Sequence, residues 1–301
     1  MAENHKAVIG SKLDARLWGS VALNLAITLV EFAGGVWAGS IALLADSAHN
    51  LTDAGAVGLA LFARRLSRRA PTPRHTYGFK RAEVIAALVN SATLIAISVL
   101  VAREAIGRLF HPQPARAPVM LVTASVALIA NLVCVFLLRD HRKEDINVKS
   151  AFLHLLQDAL ASLAVIIAAL AVGTTGGPYA DPAAAILISV IVLRSTMSIV
   201  WESLHTLLEA APAGLDVQHL AEIVAGRFPT VRLHHIHVWE VGPSQRILTA
   251  HMKVSVANVC DAEALAGDVR HFLQEEWNIN HATLEAEANG CGSDQLLGEW
   301  K

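Results

Sequence analysis

Leu44-Ala45-Asp46-Ser47-Ala48-His49-Asn50-Leu51-Thr52-Asp53 lies inside an otherwise apolar stretch, and His154-Leu155-Leu156-Gln157-Asp158 lies inside another. On a helix, Asp46, His49 and Asp53 fall at i, i+3 and i+7 and share one face; His154 and Asp158, at i and i+4, do the same. Two His-x-x-x-Asp pairs on two apolar helices are the most informative pattern in the chain.

Working outward, the flanking sequence identifies the medium. The chain has 301 residues, of which 54% are hydrophobic and 17% charged, with a mean hydropathy of +0.46. A soluble domain of this length carries about a quarter charged residues. A bilayer core is crossed by about 20 mostly apolar residues in a helix. Six segments meet that requirement: Leu17–Ala38, Ile41–Ala63, Val84–Ala102, Val119–Leu138, Ala151–Val172 and Pro182–Trp201. Leu17–Ala38 is longer than a signal-peptide core and has no clear small-residue cleavage site, so it reads as a retained helix. Asp181-Pro182 reads as the N-cap and first residue of the sixth helix. Arg194 stands inside that span.

Charge orients the set. Residues 64–81, between the second and third segments, carry seven Lys or Arg; residues 139–149 carry four and residues 1–16 carry three. The first-to-second and fifth-to-sixth connections carry none. The positive-inside rule places both termini in the cytoplasm. The basic loop Arg64–Arg81 is expected to set topology and to touch anionic headgroups.

The paired motifs then have a chemical meaning. A charge at membrane depth costs about 2.5–3.5 kcal/mol on insertion scales, so a compensating partner is expected. Two imidazoles and two carboxylates supply four ligands for a tetrahedral ion, and two carboxylates neutralise one dication. Imidazole titrates near ~6.5, so protons compete with the metal near neutral pH. His49, Asp53, His154 and Asp158 are the expected transport ligands, with Asp46 an entry or accessory group. Asn24, Glu31, Asn50, Glu83, Asn90 and Asn131 read as helix–helix hydrogen-bonding groups.

After Trp201 the pattern changes. Residues 1–201 hold 18 basic and 12 acidic residues, whereas residues 202–301 hold 6 and 14. An acidic domain argues against nucleic-acid binding, which requires a basic patch. Asp216–Phe228 reads as an amphipathic helix, Leu233–Val241 and Arg246–Val256 as strands, Asp261–Trp277 as a helix capped by Asp261, and Ile279–Glu287 as a third strand. On β-alternation, His235 and His237 share one face and His234 points to the other. The expected fold is an α-helical membrane protein: a six-transmembrane-helix bundle followed by a small cytoplasmic α+β domain of order αββαβ. Its expected divisions are 1–16, a cytoplasmic segment; 17–201, the membrane domain; 208–287, a metal-binding and dimerisation domain; and 288–301, a loose tail. Three cysteines without a Cys-x-x-Cys motif imply no disulfide framework.

The six spans, both His-x-x-x-Asp pairs and the αββαβ domain, together with Leu43–Asp53, Tyr77-Gly78, Arg81, Glu83, Asn147–Ala151 and His234–Trp239, resemble the cation diffusion facilitators, in particular bacterial cobalt–zinc–cadmium resistance facilitators and vesicular zinc transporters. The resemblance implies a homodimeric zinc/proton antiporter working by alternating access, with Zn²⁺ as transported substrate and regulatory ligand and protons as counter-ion. It assigns transport to His49, Asp53, His154 and Asp158, and a cytoplasmic metal site to His234, His251, His281 and Glu287, which Cys291 could join. Two histidines in the membrane set favour zinc. The loop between the fourth and fifth spans departs from many relatives: it is short and holds only His141. A bacterial inner membrane is the expected location. The alternatives are a membrane zinc sensor that does not transport, and an intramembrane hydrolase; neither His-Glu-x-x-His nor Gly-x-Ser-x-Gly occurs to support an enzyme.

Overall fold

The computed structural model describes residues 22–139, 146–256, 258–288 and 295–297. Among the described residues six helices come first: α1 Ala22–Ala38, α2 Ile41–Ser67, α3 Ala82–Phe110, α4 Ala117–Leu138, α5 Ile146–Thr175 and α6 Ala180–Leu207. The α/β part follows as α7 Val217–Arg227, β1 Val231–Gly242, β2 Gln245–Val254, α8 Val259–Trp277 and β3 Ile279–Glu287. This is the expected class, a helical membrane protein with an αββαβ domain. The expected segments 1–16 and 17–21, and Cys291 with most of the tail, lie outside the described residues.

Helices α3, α4 and α6, with Phe152–Thr175 of α5, are long and apolar enough to cross a bilayer on composition alone. Helix α2 is diluted by Asp46, His49, Asp53 and a basic last turn, which is the cost of carrying the motif. Most helices run past the apolar stretches that announce them, because backbone hydrogen bonding does not stop where hydropathy falls. Helix α6, for example, reaches Leu207 rather than Trp201.

The chain divides into two compact units, one built from 1–58 and 90–198, the other from 59–89 and 199–301. The first is packed on small residues: Ala38, Ala42, Ala45, Ala105, Ala124, Ala168, Ala169 and Ala185 are buried with Leu43, Met120 and Val165. Large side chains such as Phe32, Trp37, Val122, Ile129, Phe136 and Ile167 face outward. Small residues inside and large apolar ones outside is the arrangement lipid selects, because close helix contact rather than water exclusion drives association there. At Gly34 a Cβ would lie 2.5 Å from Thr123 Oγ1, so α1 and α4 approach at a distance only glycine permits.

In the second unit the sheet order is β1-β2-β3. Strands β1 and β2 are antiparallel; β2 and β3 are parallel, joined through α8 as a parallel pair requires. Leu220 and Val224 of α7, Val269 and Leu273 of α8, and Ile236, Leu248, Met252 and Ile279 of the strands form its core. Asp216 caps α7 by accepting from the backbone N–H groups of Gln218 and His219. The cap of α8 differs from expectation. The helix starts at Val259, and Asn258, not Asp261, supplies the capping oxygen, accepting from the Asp261 N–H.

Candidate metal centres

Helix α2 is held at its first turn by two side chains. Ser40 Oγ accepts from Leu43 N at 3.2 Å, the usual N-cap bond. Asp181, expected to cap its own helix, lies inside the first turn of α6 and serves α2 instead. Its buried carboxylate accepts from Ser40 Oγ at 2.5 Å, Ile41 N at 2.9 Å and Ala42 N at 3.2 Å. A carboxylate at a helix N-terminus satisfies unpaired N–H groups and complements the dipole. Arg108 Nη1 donates to Gly39 O at 2.6 Å in the turn just before. These bonds tie the start of α2 to α6 and α3, and so hold the helix that carries His49 and Asp53. Helix α5 is anchored near His154 by Phe152 and Leu155, which pack on Cys134 and Leu138 of α4.

The four expected membrane ligands converge. His49 Nε2 lies 3.6 Å from Asp53 Oδ2, His154 Nε2 lies 3.7 Å from the same oxygen, and His154 Nε2 lies 3.6 Å from Asp158 Oδ2. The imidazole rings are 6.3 Å apart and near-perpendicular. Separations of 3.6–3.7 Å exceed hydrogen-bonding distance. A tetrahedral ion with bonds of about 2.0–2.2 Å sets its ligands about 3.3–3.6 Å apart, close to what is observed. Asp158 is 1% exposed, and neither its oxygens nor the His49 ring nitrogens have a hydrogen-bond partner. Buried donors and acceptors left unpaired are costly, and a shared cation would satisfy them together. His49 and Asp158 also line a cavity of about 170 Å³ bounded by Leu160, Ala164, Ile188 and Val192.

Asp46 is not at an exposed mouth. It is 1% exposed and interacts with Glu31 and Asp158. Glu31, also 1% exposed, accepts from Asn50 Nδ2 at 3.3 Å. The helix–helix role expected of Glu31 and Asn50 is therefore present, but Glu31 also belongs to a buried carboxylate group beside the quartet. Its sequence signal was a carboxylate at membrane depth with no basic residue in its own helix. Glu83 accepts from Ser67 Oγ at 2.5 Å. Arg194 is exposed.

A second cluster lies in the α/β domain. His234 and His251 are directly opposed on β1 and β2. Glu287 Oε2 lies 3.2 Å from His234 Nε2, and His251 Nδ1 donates to Glu287 Oε1 at 2.6 Å. The three residues can each offer a ligand atom within 4.8 Å of the others, and Glu285 Oε2 is 3.8 Å from His251 Nε2. Two imidazoles and a carboxylate suit a borderline-soft dication.

Strand alternation does not hold at this cluster. His235 has φ = 48°, and the β1–β2 register shifts between His234 and His237. This bulge puts His234 and His235 both against His251, with ring centroids 5.3 and 4.9 Å away. The chain end braces it: His235 N and Ile236 N donate to Gln295 O and Leu296 O, so that part of the tail is packed rather than loose. His281 is not brought to the cluster. It is exposed and pairs in register with Ile247, six residues before Glu287 on β3, about 20 Å away along the strand. Cys291 lies outside the described residues.

Sequence comparison agrees with this organisation. Residues 17–208 match the cation efflux transmembrane domain, and residues 212–289 match the cytoplasmic domain of cation efflux proteins. The chain is 40% identical to the zinc transporter ZitB of Escherichia coli over 287 residues, covering 94% of this chain and 91% of the relative. It is 30% identical to the cadmium, cobalt and zinc/H(+)-K(+) antiporter of Bacillus subtilis, covering 89% and 87%. It is 31% identical to the metal cation efflux system protein CzcD of Cupriavidus metallidurans, covering 90% and 86%. With its membrane helices, its αββαβ domain and both family models matched along nearly the whole chain, this protein belongs to the cation diffusion facilitators, a family of metal-efflux membrane transporters and not of enzymes.

Proposed function

We propose that the chain exports Zn²⁺ in exchange for protons, by alternating access, through His49, Asp53, His154 and Asp158. The observation that carries this reading is the convergence of two His-x-x-x-Asp pairs from α2 and α5 with N–O separations of 3.6–3.7 Å. Two carboxylates neutralise the dication while it is held. When it leaves, protons on the same groups keep the centre near neutral, so neither state exposes an unpaired charge to low dielectric. The relatives' names agree: ZitB is named a zinc transporter and the Bacillus subtilis protein an antiporter. The His234–His251–Glu287 cluster acts as a regulatory zinc site; metal binding there stabilises the folded arrangement by mass action. The protein works as a homodimer in a bacterial inner membrane, with both termini cytoplasmic.

The test is zinc uptake into proteoliposomes under an imposed pH gradient. Asp53→Ala and Asp158→Ala each lower flux by about 10–100-fold or more, since even second-shell losses at metal sites reach that scale. Collapsing the gradient lowers wild-type flux. Unchanged flux in both variants removes the proposed site. Zinc binding with no flux in the wild type makes the protein a sensor. Flux indifferent to pH makes it a channel.

A further inference from the structure

The second unit contains a cavity of about 730 Å³ that the metal chemistry does not use. Its floor is the apolar stripe at the end of α2, including Phe62 and Leu66, and the stripe at the start of α3, including Ile85 and Val89. Phe62, Ile85 and Val89 are each at least half exposed, so no other described residue covers these stripes. The volume lies within the range of small-molecule pockets.

The rest of the lining has the opposite character. Arg74, Lys80 and Arg81 line the cavity from the 74–81 loop. Arg81 is neutralised by Glu209, 2.6 Å away. Among the described residues, Arg74 and Lys80 have no carboxylate partner within ion-pair distance. Tyr77 and Trp239 also line the cavity, and amphipathic aromatics of this kind are enriched at membrane–water boundaries. Apolar stripes at the ends of two spans, two amphipathic aromatics and two cations without a carboxylate partner together specify an occupant with hydrocarbon at one end and an anion at the other. A soluble anion would leave the floor empty, and an acidic peptide would not match stripes that continue into the spans. Basic pockets between membrane helices are established as seats for anionic headgroups.

We propose that this cavity binds one anionic phospholipid, its acyl chain on the α2–α3 floor and its phosphate between Arg74 and Lys80. Leu59, which lines the cavity, is about 9 Å along α2 from Asp53, so the lipid grips the helix that carries half of the metal centre.

The experiment is native mass spectrometry of the full-length, detergent-solubilised protein, titrated with dioleoyl-phosphatidylglycerol or dioleoyl-phosphatidylcholine. Wild type retains phosphatidylglycerol about 10–30-fold more tightly, from two cations near one phosphate. The Arg74→Gln/Lys80→Gln pair lowers phosphatidylglycerol to the phosphatidylcholine level. Ile85→Trp, which fills the floor without changing charge, lowers retention of both lipids. Arg64→Gln/Arg68→Gln removes the same charge outside the cavity and leaves the preference within twofold. Retained zinc binding reports that each variant is folded, and if the charge pair fails that check, Ile85→Trp alone decides. The proposal is overturned by the absence of a phosphatidylglycerol preference, by equal losses in both charge pairs, or by unchanged lipid retention in Ile85→Trp. A shift from dimer to monomer without altered lipid retention also overturns it, and assigns the cavity to a second copy.

Discussion

Removing the Asp181 carboxylate should loosen α2 and, through it, the metal centre. Asp181→Ala leaves the Ile41 and Ala42 N–H groups, at the buried start of α2, without their acceptor. An orphaned buried donor costs roughly 1–3 kcal/mol, and loss of a cap about 0.5–2 kcal/mol. The two donors share one carboxylate, so the combined loss is about 2–4 kcal/mol. Asp181→Asn keeps an acceptor oxygen but removes the charge facing the helix dipole, which costs up to ~2 kcal/mol. Thermal unfolding in detergent should therefore rank wild type above Asn above Ala, with Ala lower by several degrees at roughly 2–4 °C per kcal/mol. Zinc flux should fall in the same order, because His49 lies less than three turns into α2. An unfolding temperature for Asp181→Ala within a degree of wild type refutes the capping argument. Lost flux with full thermal stability would place Asp181 in the ion's path instead.

Two further outcomes follow from particular contacts. Gly34→Ala drives a Cβ to 2.5 Å from Thr123 Oγ1 and should cost about 1–3 kcal/mol as overpacking. Thr123→Ala should recover most of that loss in a double-mutant cycle of thermal stability, because it removes the two nearest atoms; additive losses would show that α1 and α4 do not meet there. His251→Ala, which dismantles the cytoplasmic cluster, should lower bound zinc by one ion per chain in equilibrium dialysis while proteoliposome flux at saturating zinc persists. An unchanged stoichiometry would show that the cluster holds no zinc.

Much was legible in the sequence because it is local. Helix period places His49 with Asp53 and His154 with Asp158 on single faces, hydropathy length marks the spans, and strand and turn chemistry delivers αββαβ with β3 ending at Glu287. Each of these depends on spacing within one element, which the backbone geometry sets. Tertiary structure decided the pairings that spacing leaves open. Asp181 stands where an N-cap belongs, but the first N–H groups of α2, 140 residues away in sequence, compete for it and win. The His234–His235 pair departs from alternation only because a bulge, braced by residues 295 and 296, absorbs one residue. His281 resembles a ligand by type, yet strand register carries it about 20 Å from Glu287. Glu31 joins Asp46 beside the metal centre only when α1 packs on α2. A side chain's type and local phase are written in the chain, whereas the identity of its distant partner is chosen by which buried groups would otherwise remain unpaired.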